Sequence, residues 1–104
     1  MTDPTTLLRF TVPADHPALP GHFPGRPIVP GVLLLDAVIQ AVTALDPHRA
    51  APGRLVRAKF LAPVTPGTEM QIALEPRGAD RLGFTCRCGG TIVLQGELGW
   101  PTPP

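Results

Sequence analysis

The chain has 104 residues, 43% hydrophobic and only 16% charged, with nine basic and eight acidic side chains for a formal net charge of +1. That length suits one domain, and the composition is too apolar for disorder and too light in charge for a fully exposed monomer surface, which points to oligomerisation. A near-neutral balance without a basic stripe and interleaved aromatics excludes nucleic-acid binding driven by charge.

Met1 to Pro4 lacks the basic and apolar regions of a secretory signal. No apolar run approaches the roughly 20 residues needed to span a bilayer, so the expected location is the cytoplasm, away from membranes. Leu7 to Val12 mixes β-branched, aromatic and polar residues before Pro13, the pattern of a short first strand. Asp15 to Pro30 then holds Pro17, Pro20, Pro24, Pro27 and Pro30 with Gly21 and Gly25, which excludes helix and stiffens the loop that carries His22.

From Gly31 to Leu45 the residues turn apolar and mostly helix-compatible, opened by Pro30-Gly31 and closed before Asp46-Pro47. The polar members Asp36, Gln40 and Thr43 are four and three apart and share one stripe. A helix apolar nearly all round is normally wrapped by other elements, so Asp36 is expected to be buried. After Pro52-Gly53, strands are predicted over Arg54 to Leu61, Glu69 to Leu74, Leu82 to Cys88 and Thr91 to Leu98. Pro66-Gly67, Arg77-Gly78 and Gly89-Gly90 mark turns, the last a two-residue hairpin signal. The order predicts one α+β domain over residues 1–104, an antiparallel sheet curled round one helix, with an extended tail over 99–104.

Cys86 and Cys88, two apart in a predicted strand, face one way and are poorly placed to bridge each other. Neither His16 nor His48 stands at a recognisable ligand spacing, so no metal site is expected, and the cysteines read as small apolar residues in a reducing compartment. His22 on its stiff loop and Asp36 in its apolar helix read instead as a base and an acid. Imidazole is the side chain whose unperturbed pKa lies near neutrality, and a buried carboxyl is costly unless partnered or protonated.

Gly21-His22-Phe23-Pro24-Gly25-Arg26-Pro27-Ile28-Val29-Pro30-Gly31-Val32-Leu33, with Asp36 fourteen positions after His22 and Gln40 four further on, resembles the signature of the hot-dog-fold 3-hydroxyacyl-[acyl carrier protein] dehydratases of fatty-acid synthesis and related pathways. Lys59-Phe60-Leu61-Ala62-Pro63-Val64-Thr65-Pro66-Gly67-Thr68-Glu69-Met70 is similar to that family's second conserved segment. The resemblance covers roughly Leu7 to Leu98. Aspartate at position 36 is the choice of the bifunctional dehydratase/isomerase branch, whereas His-Phe-Pro-Gly belongs to the dehydratase-only branch, so isomerase activity is left open. The twenty-one residues before His22 are fewer than in the longer members, as in the small dehydratases of aryl-polyene and pigment pathways.

The resemblance implies a hot-dog fold, a sheet wrapped round one long central helix, and dehydration of a 3-hydroxyacyl thioester to the trans-2-enoyl thioester. His22 would be the base at C2 and Asp36 the acid at C3, directly or through a water, with Gln40 orienting the carboxyl. The thioester carbonyl needs donors, and the unpaired N–H groups of a helix start supply them, with Gly31 the natural residue because no side chain obstructs it. Phe23 would pack at the pocket wall. No cofactor is called for. The implied partners are an acyl carrier protein bearing a phosphopantetheine-linked chain and a second copy of the protein, each site taking its histidine from one chain and its acid from the other. Arg57 and Lys59 share a strand face near Arg49 and Arg54, which suits an acidic carrier and equally an ordinary solvated face.

Two other readings stand beside this one. A coenzyme A hydratase of the same fold would show Asp-x-x-x-x-His, but Asp15 precedes His22 by seven positions, and thioesterases set their acid in different surroundings. A non-catalytic partner subunit of a dehydratase heterodimer would be expected to have lost His22 or Asp36, and both are present.

Overall fold

Alternating apolar residues in the C-terminal half build four strands, which one N-terminal strand completes to a five-stranded antiparallel sheet. The computed structural model describes residues 6–12 and 28–101. Its elements are β1 (Thr6–Thr11), α1 (Gly31–Leu45), β2 (Arg54–Phe60), β3 (Glu69–Pro76), β4 (Arg81–Cys88) and β5 (Thr91–Gly99), with the sheet ordered β1-β3-β4-β5-β2. No helix of the described residues is long and apolar enough to cross a membrane.

The turn signals hold for β3–β4 and β4–β5, which are hairpins. Gly89 adopts φ +60°, a left-handed first turn residue that keeps a two-residue hairpin in step with strand twist. Pro66-Gly67 does turn the chain, but not into a hairpin, because β2 lies at the far edge beside β5 and not beside β3. Residues 61–68 instead cross the end of the sheet. Their start is tied by the Leu61 N–H to the Val93 carbonyl at 2.9 Å, and their end by the Gly67 N–H to the Val12 carbonyl at 2.8 Å.

One face of the sheet carries Met70, Ile72 and Leu74 from β3, Phe84 and Cys86 from β4, and Leu94 and Leu98 from β5, all buried. The apolar side of α1, through Leu34, Val38 and Val42, joins them in one core. The helix has the predicted bounds and lies against this face of the sheet, but its far side is open: Asp36, Gln40 and Thr43 are exposed, and Val32 is 70% exposed. Asp36 is therefore open to solvent in the single chain, contrary to the burial expected from an apolar helix. Past β5, Trp100 is anchored: its Nε1–H donates to the Ala50 carbonyl at 2.7 Å, and the Arg49 guanidinium stacks 3.6 Å from its ring centroid.

Gly96 stands at the tightest point. It pairs with Phe84 on one side and Ala58 on the other, and a β-carbon there would collide with the Arg57 carbonyl and lie 2.6 Å from the Phe84 ring. Gly96→Ala is expected to cost about 1–3 kcal/mol, because backbone and a fully buried ring must both give way. Urea unfolding tests this, and an unchanged midpoint would show that β2 moves aside freely.

On the sheet's opposite face Glu97 accepts hydrogen bonds from Arg77 at 3.0 Å and Arg81 at 3.4 Å. The hydrogen-bonded Arg77 guanidinium holds the Glu97 carboxyl below its ordinary value, with Arg57 and Arg81 adding to the effect against some desolvation. A depressed carboxyl stabilises the fold above its unfolded pKa, and that contribution is lost as pH falls through the folded value. The stability gap between wild type and Glu97→Gln at pH 7 should therefore close below about pH 4. Thermal melts across that range check it, and a gap constant with pH would remove the ionised pair as its cause.

Candidate active site

The N-cap of helix α1 is Pro30, which has no polar side chain and makes no side-chain cap. The N–H groups of the first turn are therefore left without a capping side chain, and the dipole's positive end reinforces them as donors to a developing negative oxygen. Gly31 is the first helical residue, as expected, and its α-carbon is covered on one flank by the ring of Phe60.

Two turns along, Gln40 Nε2–H donates to Asp36 Oδ2 at 2.6 Å. The four-residue spacing brings the amide and carboxylate together on the helix's open side. Thr43, third on the same stripe, does not join them, because its hydroxyl donates back to the Ile39 carbonyl at 2.9 Å. Of the sequence-predicted site residues, the structure pairs Asp36 with Gln40 and sets Gly31 at the helix start. His22 and Phe23 lie outside the described residues.

The two segments that carried the resemblance meet in space. The Val29 N–H donates to the Val64 carbonyl at 2.8 Å, joining the approach to α1 to the loop after β2. Between them opens an apolar cavity of about 590 Å³, bordered by Ile28, Gly31, Leu34, Phe60, Leu61 and Val64. Phe60 has no role in the sequence reading. The signal was present, since Phe60 stands inside the second segment, but only the crossing of residues 61–68 places it against Gly31.

The cysteines stay out of this chemistry. Burial pushes the Cys86 thiol up to about 12, with Cys88 adding to the effect, and burial raises Cys88 as well, so both are protonated near neutrality and poor nucleophiles. Among the described residues no three His, Cys, Asp or Glu side chains come close enough to hold a metal ion.

A single helix lying on a five-stranded antiparallel sheet of this order is the hot-dog fold, shared with a chain of the dehydratase heterocomplex ApeI:P from Xenorhabdus doucetiae at a TM-score of 0.79 and 21% identity, over 91% of this chain and 85% of that one. The chain belongs to the ApeI-like dehydratase family, whose model matches residues 2–97. It is 38% identical over 99 residues to the 3-hydroxyacyl-[acyl-carrier-protein] dehydratase FabZ of Haemophilus influenzae, covering 84% of this chain and 67% of that protein. With the FabZ of Sodalis glossinidius it shares 34% over 97 residues, 81% of this chain and 64% of the relative. The chain thus spans about two thirds of the length of these curated relatives.

Proposed function

We propose that the protein dehydrates a 3-hydroxyacyl thioester, borne on the phosphopantetheine arm of an acyl carrier protein, to the trans-2-enoyl thioester. The observation that carries this reading is the Asp36–Gln40 pair on the open side of α1, held by a chain of the ApeI-like dehydratase family with FabZ relatives. His22 takes a proton from C2, and the C3 hydroxyl leaves as water on receiving the Asp36 proton, directly or through a bridging water. The C2–H and C3–O bonds break and the C2=C3 bond forms. First-turn amides of α1, Gly31 foremost, hold the negative charge that develops on the thioester oxygen. His22 ends protonated and Asp36 ionised, and return of the proton through solvent resets the site.

Dehydration goes forward where bulk water is kept away from the reacting atoms. Since Asp36 is exposed, its cover comes from a second chain, and we take the working unit to be a homodimer with His22 of one protomer facing Asp36 of the other. The surface supports that reading. Among the described residues strand β2 is an edge of the sheet, and Leu55 within it and Leu61 just after it are 46% and 43% exposed. Arg57 and Lys59 lie with Arg77 on the sheet face away from α1, where they suit an acidic carrier. The location we assign is cytoplasmic. A second reading, a partner subunit in a heterocomplex, has the likeness to ApeI:P in its favour, but the chain keeps both His22 and Asp36.

His22→Ala is expected to lower turnover by about 10²–10⁴, the usual value of a general base, with the fold intact. Asp36→Asn should leave stability unchanged or raise it slightly, because a carboxyl covered by the partner is replaced by a neutral amide of the same shape, while abolishing dehydration. Wild-type rates on a carrier-bound 3-hydroxyacyl substrate in either folded variant would remove that residue from the reaction.

Co-refolding His22→Ala with Asp36→Asn should restore activity, because a heterodimer rebuilds one intact site from the two unmutated residues. No recovery in a mixture shown to contain heterodimers would overturn the shared site. Full activity in a monomeric wild type would overturn the dimer.

A further inference from the structure

Phe60 ends the edge strand β2 and, although large and apolar, is 50% exposed. Its backbone is fixed by pairing with Leu94 and by the Leu61 N–H on the Val93 carbonyl at 2.9 Å. Two carbons of its ring lie 2.7 and 2.8 Å from where a β-carbon on Gly31 would stand. The root of the side chain is thus held, one flank rests on the first residue of α1, and the ring borders the cavity shared with Ile28, Leu34 and Val64. A phenyl ring neither gives nor takes a proton. Beside a reacting thioester it can only exclude volume and water.

We propose that Phe60 is a specificity-determining residue, its ring forming the wall beside the thioester that confines C2 of the substrate to an unbranched methylene. The inference rests on the dehydratase reading and on the thioester oxygen seating at the first-turn amides of α1. From an oxygen held there, C2 is only ~2.4 Å further by ordinary bond lengths, so a substituent on C2 competes with the ring for the same space. The same contact accounts for glycine at position 31, since even a methyl group there would displace the ring.

The test compares kcat/KM for two carrier-bound 3-hydroxyacyl thioesters of equal length, one straight and one methylated at C2, the latter keeping one C2 hydrogen for elimination. Wild type should favour the straight chain, and Phe60→Ala should narrow that preference about tenfold, chiefly by gain on the branched substrate. Phe60→Leu, which keeps more of the packing, should narrow it less and stands in if Phe60→Ala melts at the assay temperature. Gly31→Ala should slow both substrates, and adding Phe60→Ala should recover part of the loss. An unchanged preference in the folded Phe60 variants overturns the inference while leaving the dehydratase reading standing, and so does a double variant no faster than Gly31→Ala. A wild type inactive on both substrates overturns the dehydratase reading and this inference with it.

Discussion

A single sheet can cover only one side of a helix, and α1 has apolar residues on more than one side. Leu34, Ala37, Val38 and Val42 go into the core, while Val32 stays at the surface one turn before Asp36, on the stripe that also bears Gln40. Burying a side chain such as Val32 is worth about 1.5–3 kcal/mol, so the uncovered side of α1 is a standing drive toward association. The carboxylate stands on that same side. Closure of the fold and completion of the proposed site are thus one physical problem, with a second chain as the proposed answer to both.

The architecture around the helix start depends on a loop that is easily misread. Residues 61–68 run from the β2 edge across the end of the sheet to β3, and on the way the Val64 carbonyl accepts the Val29 N–H. That bond brings the segment entering α1 against the segment leaving β2. The cavity at the first turn and the Phe60 ring over Gly31 both follow from it. Gly96 allows the approach from the sheet side, because only a residue without a side chain lets β2 lie so close to β5 above the Phe84 ring.

The bounds of α1 were legible because proline and glycine open it and Asp46-Pro47 closes it, signals that act locally on the backbone. Strands β3 to β5 were legible because their alternation and turn glycines are local too. The pairing of Asp36 with Gln40 followed from helical spacing alone. The position of β2 was not legible, since a Pro-Gly turn reads the same whether the next strand lies beside the last one or across the sheet. Nor was the exposure of Asp36, because an apolar helix pattern records what the residues prefer and not how many layers one chain can supply.

Residue order by itself determined the elements, their sequence along the chain, the α+β class and the helical stripe bearing Asp36 and Gln40, all consequences of backbone preference and periodicity within a few residues. Only the tertiary structure decided that β2 pairs with β5, that the two motif segments join through Val29 and Val64, that Phe60 covers Gly31, and that the acidic stripe is left open. Those features depend on contacts between residues far apart in sequence, where packing and the reach of a connecting loop choose among pairings that local preference leaves equal.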